Sequence, residues 1–284
     1  MIPLCIDLDG TLIRTDMLFE SAAALLRKKP WLAFAMPRWL MQGKAVLKHE
    51  IASRVSIDPA LLPYNEDFLE WAMAEHARGR TLVLATASNR QLADAICGYL
   101  PIFGTVIASN GRTNQKGVTK LESLTALYGR QFAYAGNSAA DLPIWQGSEE
   151  AILVSAPASV AQTARAQGNV TREFPAPRLL YSAVRQVFRV RVCQFILVAA
   201  IPPTMISHNP LWAAAALALT CLISGALITR DVLSLQQDRA VRRLATRAIA
   251  SGVFPLPVAF FLGPGLILVA LTLALYIAVI QKSR

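Results

Sequence analysis

Residues 5–12 read CIDLDGTL, and the fold turns on them. The run PLCIDL (3–8) is short, apolar and ends in two aspartates, Asp7 and Asp9, followed at once by a turn glycine. Residues two apart on a strand point to the same side, so both carboxylates are expected to converge on one small ligand. The carboxyl end of a strand is also where open α/β sheets hold their ligands. On its own, Asp-Gly after an apolar run is equally read as a plain turn.

Further short apolar runs follow at 81–85 (TLVLA), 104–109 (GTVIAS), 131–136 (QFAYAG) and 151–155 (AILVS). Most alternate with helix-like stretches such as RQLADAICGYL and VTKLESLTALYG. Buried strands alternating with amphipathic helices predict an α/β fold with a doubly wound parallel sheet. The interval 13–80 is too long for one crossover and is broken by Pro30, Pro37, Pro59 and Pro63, so it reads as a helical cap insertion. Within it WLAFAMPRWLMQG reads as the apolar core of the cap, or as a face meeting a membrane interface or a lipid tail.

Residues 156–177 show no periodicity and read as a linker, which sets the first domain at 1–160. Residues 161–190 are taken as linker plus a basic amphipathic lead-in, RLLYSAVRQVFRVR. An all-α membrane domain is expected over 191–284, with apolar spans at 192–206, 211–229 and 253–280. The third span contains Gly263, Pro264 and Gly265, which could break it into a re-entrant hairpin.

Charge separates the two parts. The chain of 284 residues has a net charge of +10, and from Arg178 onward eleven Lys and Arg face two Asp. A basic excess confined to an apolar segment suits phospholipid headgroups or an anionic lipid substrate, and no nucleic-acid partner is expected. Arg185, Arg189 and Arg191 precede the first span, and Arg230, Arg239, Arg242, Arg243 and Arg247 separate the second from the third. The positive-inside rule then orients a multi-pass protein of a bacterial inner membrane with its first domain in the cytoplasm. The opening MIPLCIDLDG has no secretory-signal pattern, which agrees. The four cysteines and three histidines form no paired or clustered spacing, so neither a disulfide framework nor a zinc site is expected.

Thr86 closes the TLVLAT run, Lys116 lies in NQKG, and Asn137 and Asp141 lie in GNSAAD. With CIDLDGTL, their order and contexts resemble the haloacid dehalogenase superfamily of phosphohydrolases over residues 1 to about 160. The resemblance implies that Asp7 attacks phosphorus, that Asp9 serves as acid and then base, and that Thr86 and Lys116 hold the phosphoryl oxygens. Lys120 is the alternative lysine. It further implies Mg²⁺ as cofactor, held by Asp7, the Asp9 carbonyl, Asn137 and Asp141. The family usually has an aspartate at position 137, so weaker metal binding is expected here. Leu8 and Asp9 exclude the DKTGT motif of an ATP-driven pump.

ALLRKKP, LPYN, ATAS, NQKG and YAGNSAADLPIW also resemble a subgroup in which this module precedes a UbiA-type prenyltransferase. The stretch 229–252 is similar to that enzyme's first aspartate-rich loop and retains Asp231, Asp238, Arg239, Arg247 and the ASG triplet at 250–252. Arg230 and Ser234 replace an asparagine and an aspartate, CQFILV (193–198) lacks the usual lysine and asparagine, and the 284 residues stop before a second aspartate-rich loop would appear. A diphosphate held through Mg²⁺ needs several converging carboxylates. The loop therefore reads as a lipid-phosphate or prenyl-diphosphate remnant. Related enzymes join polyprenyl phosphate to phosphoribosyl pyrophosphate, and the product's terminal phosphate must then be removed.

The resemblance thus implies a membrane-anchored phosphatase acting on a phosphorylated sugar or polyprenyl-linked sugar phosphate, in lipid-linked arabinose supply such as the arabinosylation of rhizobial nodulation signals. Two alternatives stand beside it. One is prenyl transfer, alone or with a partner membrane subunit; the other is a degenerate membrane scaffold, which would need neither Asp7 nor Asp9.

Overall fold

The run around Cys5 forms strand β1 (Leu4–Ile6), and all three of its side chains are buried. In the computed structural model, which describes residues 1–110, 112–176, 211–241 and 248–282, this strand lies inside a six-stranded sheet. The other strands are β2 (Leu82–Asn89), β3 (Phe103–Ser109), β4 (Ala133–Gly136), β5 (Glu150–Val154) and β6 (Val170–Phe174). Their order is β3-β2-β1-β4-β5-β6, and every neighbouring pair is parallel. The chain winds outward from β1 in both directions, so the crevice at the carboxyl ends of β1 and β4 is the switch point where such sheets bind ligands.

Helices cover both faces, which is why the strands are continuously apolar. Leu4, Ile6, Leu84, Ala135 and Ile152 point to one face. There they meet Phe68 and Ala72 of α4 (Glu66–Ala77) and Leu92 and Ile96 of α5 (Arg90–Tyr99). Cys5, Val83, Tyr134 and Leu153 point to the other. They meet Leu124 of α6 (Val118–Tyr128), Ile144 and Trp145 of α7 (Leu142–Gly147), and Ala161 and Ala164 of α8 (Ala158–Ala166).

Three expectations change. The insertion between β1 and β2 is helical, with α1 (Met17–Lys28), α2 (Met36–Met41), α3 (Lys44–Ala52) and 3₁₀ turns at Pro30–Phe34 and Pro59–Leu61. Its end comes before residue 80, however, because Phe68 and Ala72, one turn apart, bury α4 in the sheet core. Residues 156–177 are no simple linker: they carry α8 and β6, and the sheet continues past residue 160 to Phe174. The strand VTREF escaped notice because it is an outer strand whose middle residues face solvent. Finally, WLAFAMPRWLMQ is not the core of the cap, since neither the 3₁₀ turn Pro30–Phe34 nor α2 buries a single residue.

The chain divides into two compact units, Met1–Arg178 and Leu179–Arg284. In the second, α9 (Leu211–Leu233), α10 (Leu235–Ala240) and α11 (Leu256–Lys282) are described, and the expected span at 192–206 lies outside the described residues. Leu211–Leu233 and Leu256–Gln281 are long and apolar enough to cross a membrane, with mean hydropathies of 2.1 and 2.4. At 1.5 Å per residue they reach about 35 and 40 Å, against about 30 Å of hydrocarbon. Of the two readings, one tilted helix or a break at Gly263–Gly265, the structure has the first, and α11 runs through Pro264 as one helix. Gly263 instead lets α11 approach α9. A Cβ there would strike Thr229 and the Gly225 carbonyl, and one at Gly225 would strike the Gly263 carbonyl and Ile267. Small residues at a crossing point are the usual means of close packing between apolar helices.

Candidate active site

β1 stops at Ile6, so neither aspartate lies on the strand itself. Asp7 is anchored at the strand end by its N–H, which donates to the Ala135 carbonyl (3.0 Å). The chain then turns: Leu12 N–H donates to the Asp7 carbonyl (3.2 Å) and Gly10 N–H to the Thr15 carbonyl (3.1 Å). Gly10 has φ +76°, and a Cβ there would overlap the Asn137 amide, so the turn requires glycine twice over. The two carboxylates converge through this turn and not through strand alternation.

The lysine beside Asp7 is Lys120, and Lys116 is not in contact with it. Lys120 lies inside α6 with its side chain buried, and its Nζ donates to Asp7 Oδ1 (2.8 Å) and to the Tyr134 hydroxyl (2.8 Å). Lys116, four residues earlier in the loop before Gly117, is exposed. Its separation from Asp7 is physical: one helical turn carries position 120 inward on the stripe of Leu124, while the loop leaves position 116 at the rim. Tyr134 Oη donates onward to Asp141 Oδ1 (2.9 Å), giving a buried chain Asp7–Lys120–Tyr134–Asp141. The second Asp7 oxygen makes no hydrogen bond among the described residues.

Asp9 is held from two elements. Met17 N–H at the start of α1 donates to Oδ1 (2.8 Å), and the Ser88 hydroxyl donates to Oδ2 (2.6 Å). Thr86 within β2 is fully buried, and its Oγ1 accepts from Ser88 N–H (2.9 Å), which leaves its own O–H free to donate. Lys48 of α3 donates to the Ala87 carbonyl (2.6 Å) and adds positive charge near Asp9 and Asp16. A small cleft lined by Met17, Leu18, Ser21, Lys48, Ser88, Asn89 and Leu92 opens beside these groups.

Asp141 is engaged on both oxygens. Oδ1 takes the Tyr134 hydroxyl, and Oδ2 accepts from Asn137 N–H (3.1 Å), Ser138 N–H (2.9 Å) and the Ser138 hydroxyl (2.9 Å). Gly136 lets it sit there, since a Cβ at that position would fall 2.8 Å from the Asp141 carboxyl carbon and from the Tyr134 ring. Asp141 thus shapes the GNSAAD loop. The Asn137 amide lies over Gly10 and makes no side-chain hydrogen bond among the described residues.

A family model for the haloacid dehalogenase-like hydrolases matches residues 4–146, from β1 through α7. The chain belongs to this family. A curated relative, the uncharacterized protein y4nM of Sinorhizobium fredii, is 32% identical over 260 residues, covering 88% of this chain and 50% of that protein. The chain therefore spans about half the length of the curated relative it matches. Among solved structures, a protein of unknown function from Bordetella pertussis aligns at a TM-score of 0.47 with 16% identity, over 61% of this chain and 97% of that one. A phosphoserine phosphatase in apo form aligns at 0.44 with 14% identity, over 66% and 98%.

The resemblance implied Mg²⁺, and the donor chemistry fits it in part. Among the described residues no three His, Cys, Asp or Glu side chains form a metal cluster, and Asp141 already accepts four hydrogen bonds, three of them on Oδ2. What remains is all oxygen: the unengaged Asp7 oxygen, the Asp9 carbonyl and the Asn137 amide. Mg²⁺ commonly takes one or two carboxylates and completes its shell with waters and substrate phosphate, and this set suits that mode. Site charge is what Asn137 lacks. Asn137→Asp is expected to tighten Mg²⁺ binding about tenfold by isothermal titration, through the added carboxylate; an unchanged affinity would remove position 137 from the metal's surroundings.

Burial raises the Asp7 and Asp9 carboxyls to about 6, with Lys120 opposing the shift at Asp7 and Asp16 adding to it at Asp9. A carboxyl raised on folding binds its proton more tightly folded than unfolded, so stability falls as pH rises from about 4 through 6. Asp9→Asn keeps an acceptor for the Met17 N–H, reverses the contact with Ser88 so that the amide donates to the hydroxyl oxygen, and removes the buried charge. The metal-free variant is expected to be more stable than the parent by about 1–2 kcal/mol at pH 7.5 and equal to it near pH 4. Denaturant melts at both pH values measure this, and a difference independent of pH would refute the electrostatic cause.

Sequence reasoning missed Ser88, Tyr134 and Lys48. Ser88 and Tyr134 lay within the quoted runs ATAS and AYAG, whereas Lys48 sits in the insertion, where nothing in the sequence ties it to β2. In the second unit Asp238 is buried, and Arg239 Nε donates to the Ala250 carbonyl (2.6 Å). Asp231 and Asp238 both have interacting neighbours, and Arg247 lies outside the described residues.

Proposed function

We propose that the chain is a Mg²⁺-dependent phosphatase, anchored to a membrane by its C-terminal helices, that hydrolyses a phosphorylated sugar or a polyprenyl-linked sugar phosphate. The observation that carries the reading is the division of labour at Asp7: one oxygen is held by buried Lys120 and the other is unengaged. That oxygen attacks phosphorus, the bond to the leaving oxygen breaks, and an aspartyl-phosphate forms. Asp9, with its carboxyl raised to about 6, gives its proton to the leaving oxygen. Its carboxylate then takes a proton from water as that water attacks phosphorus, releasing phosphate and restoring Asp7. Thr86 O–H and Lys120 Nζ meet the phosphoryl oxygens and offset the developing charge. Bound Mg²⁺ would supply further charge neutralisation at the phosphoryl group.

The cleft beside Asp9, at about 10 Å³ no larger than one water, presents Ser21, Asn89 and Lys48, and the choice of a sugar as leaving group rests on the resemblance alone. The apolar helices α9 and α11 support membrane anchoring, and Arg230 in the last turn of α9 with Arg239 in α10 favours the cytoplasmic side for that end. Removal of phosphate from a lipid-linked pentose, in glycoconjugate synthesis, is the step this suits. The test is a screen of the full chain with Mg²⁺ over sugar phosphates and polyprenyl-linked sugar phosphates. Phosphate release above an Asp7→Asn control is expected, and equal rates in both proteins would overturn the reading.

A further inference from the structure

The segment that the sequence offered as cap core lies on the surface. Trp31 is 63% exposed, Phe34 89%, Leu40 49% and Met41 89%, all within eleven residues. Exposed large apolar side chains so close together are uncommon on a soluble surface without a binding role. The fold does not simply leave the segment unpacked: Trp39 turns inward beneath the Arg54 guanidinium, 5.1 Å from its ring centre, while its neighbours face out. Pro30 and Pro37 stand in the first turns of the two short helices that present them.

Charge along this stretch of the sequence is of one sign, and the nearby Glu50 is paired with Arg54. Residues 21–49 contain six Lys and Arg and no Asp or Glu. Arg27, Lys28, Lys29, Arg38 and Lys44 are exposed, and none forms an ion pair among the described residues. Only Lys48 turns inward, to the Ala87 carbonyl. An apolar centre carrying Trp and Phe inside a basic collar is the composition of a helix that lies in the interface of an anionic bilayer. A second copy of the chain is a poor occupant, because self-pairing would bring two such collars together without a counter-charge.

We propose that the cap docks on anionic phospholipid through Trp31, Phe34, Leu40 and Met41, with Arg27, Lys28, Lys29, Arg38 and Lys44 held at the headgroups. The contact is additional to any helix that spans the bilayer, and it rests on the membrane part of the proposed function but not on the phosphatase chemistry. It also bears on substrate access. Met17, whose N–H holds Asp9, opens α1, and Lys28 at the basic collar ends it, about 16 Å away along the helix. A substrate phosphate displayed at the lipid surface would need to travel no farther than that.

The test uses the full chain in lipid nanodiscs, either of phosphatidylcholine alone or with one third phosphatidylglycerol. An environment-sensitive fluorophore is placed at Phe34→Cys, and in a control at Glu122→Cys on exposed α6, after replacing the native cysteines. Expected in the anionic discs is a blue shift with at least about twofold brighter emission at position 34 and none at 122, quenched by brominated lipid. Arg27→Glu combined with Lys28→Glu and Lys29→Glu should abolish it. Emission at 34 matching 122 in anionic discs overturns the proposal, as does an equal shift in phosphatidylcholine alone. A shift that persists in detergent and grows with protein concentration assigns the face to a second copy and also overturns it. Hydrogen exchange of the unmodified chain supplies the same reading if the labelled variants misfold: slower exchange over residues 30–42 in anionic discs than in neutral ones supports docking, and equal exchange refutes it. Neither measurement depends on catalysis, so failure here leaves the phosphatase reading standing.

Discussion

Replacing Asp7 by asparagine is expected to lower phosphate release by at least about a thousandfold without unfolding the protein, because the variant keeps the shape of the site and loses its nucleophile. The amide oxygen can still accept from Lys120 Nζ, the contact that the parent carboxylate makes at 2.8 Å. The N–H of residue 7 still donates to the Ala135 carbonyl. What disappears is the second oxygen's negative charge, and an amide does not form an acyl-phosphate. Two electrostatic changes act on stability in opposite directions: the desolvation that raises the Asp7 carboxyl is relieved, and the buried Lys120 ammonium loses its counter-ion. Their partial cancellation is expected to leave the melting temperature within a few degrees of the parent's. Acid-quenched reactions with ³²P-labelled substrate should show phosphate on the parent chain and none on the variant. Undiminished turnover in the variant would remove Asp7 from the chemistry altogether.

How much of this was legible beforehand depended on whether a residue's role was local. The strands were readable because burial on both faces leaves uninterrupted apolar runs, and CIDLDGTL marked the site because its aspartates sit beside a glycine that the turn demands at φ +76°. The edge strand β6 was not readable, since VTREF places three consecutive exposed polar residues between Val170 and Phe174 and resembles a loop. In α4 the pair Phe68 and Ala72 pack on the sheet, yet the acidic residues around them gave the helix the look of a cap surface. The exposed segment 31–41 misled in the other direction. Trp, Phe and Met in close sequence suggest a core, and only the packing of its neighbours shows that, among the described residues, neither short helix is buried.

In the membrane-compatible unit the error was to treat glycine and proline only as breakers. Gly263, Pro264 and Gly265 lie inside an uninterrupted α11, where an absent side chain lets Gly263 meet Gly225 and Thr229. Thr229 Oγ1 is itself satisfied by donating to the Gly225 carbonyl (2.8 Å), so no polar group is left stranded at the crossing. Such a crossing depends on which residues of two helices meet, and a linear sequence does not record that.

The choice between the two lysines has the same origin and the second large expected effect. NQKG drew attention to Lys116 because it follows a strand, while Lys120 looked like one more cation on a helix. Its spacing held the clue, because Lys120 is four residues before Leu124, whose side chain is fully buried, and so shares the inward stripe of α6. Lys120→Met keeps the aliphatic stem and removes the charge that opposes protonation of Asp7. Asp7 should then titrate above its present value of about 6, and kcat/KM at pH 7.5 is expected to fall about a hundredfold or more. The acidic limb of the pH–rate profile should move to higher pH, a change that simple loss of folded protein would not produce. Tyr134 would also lose the donor that links it to Asp7, so the variant is expected to be less stable by about 1–3 kcal/mol. Lys116→Ala, at an exposed loop position, should change kcat/KM by less than about threefold and leave the profile in place. The opposite ranking of the two variants would return the phosphoryl-binding role to Lys116 and leave Lys120 as a purely structural partner of the buried aspartates.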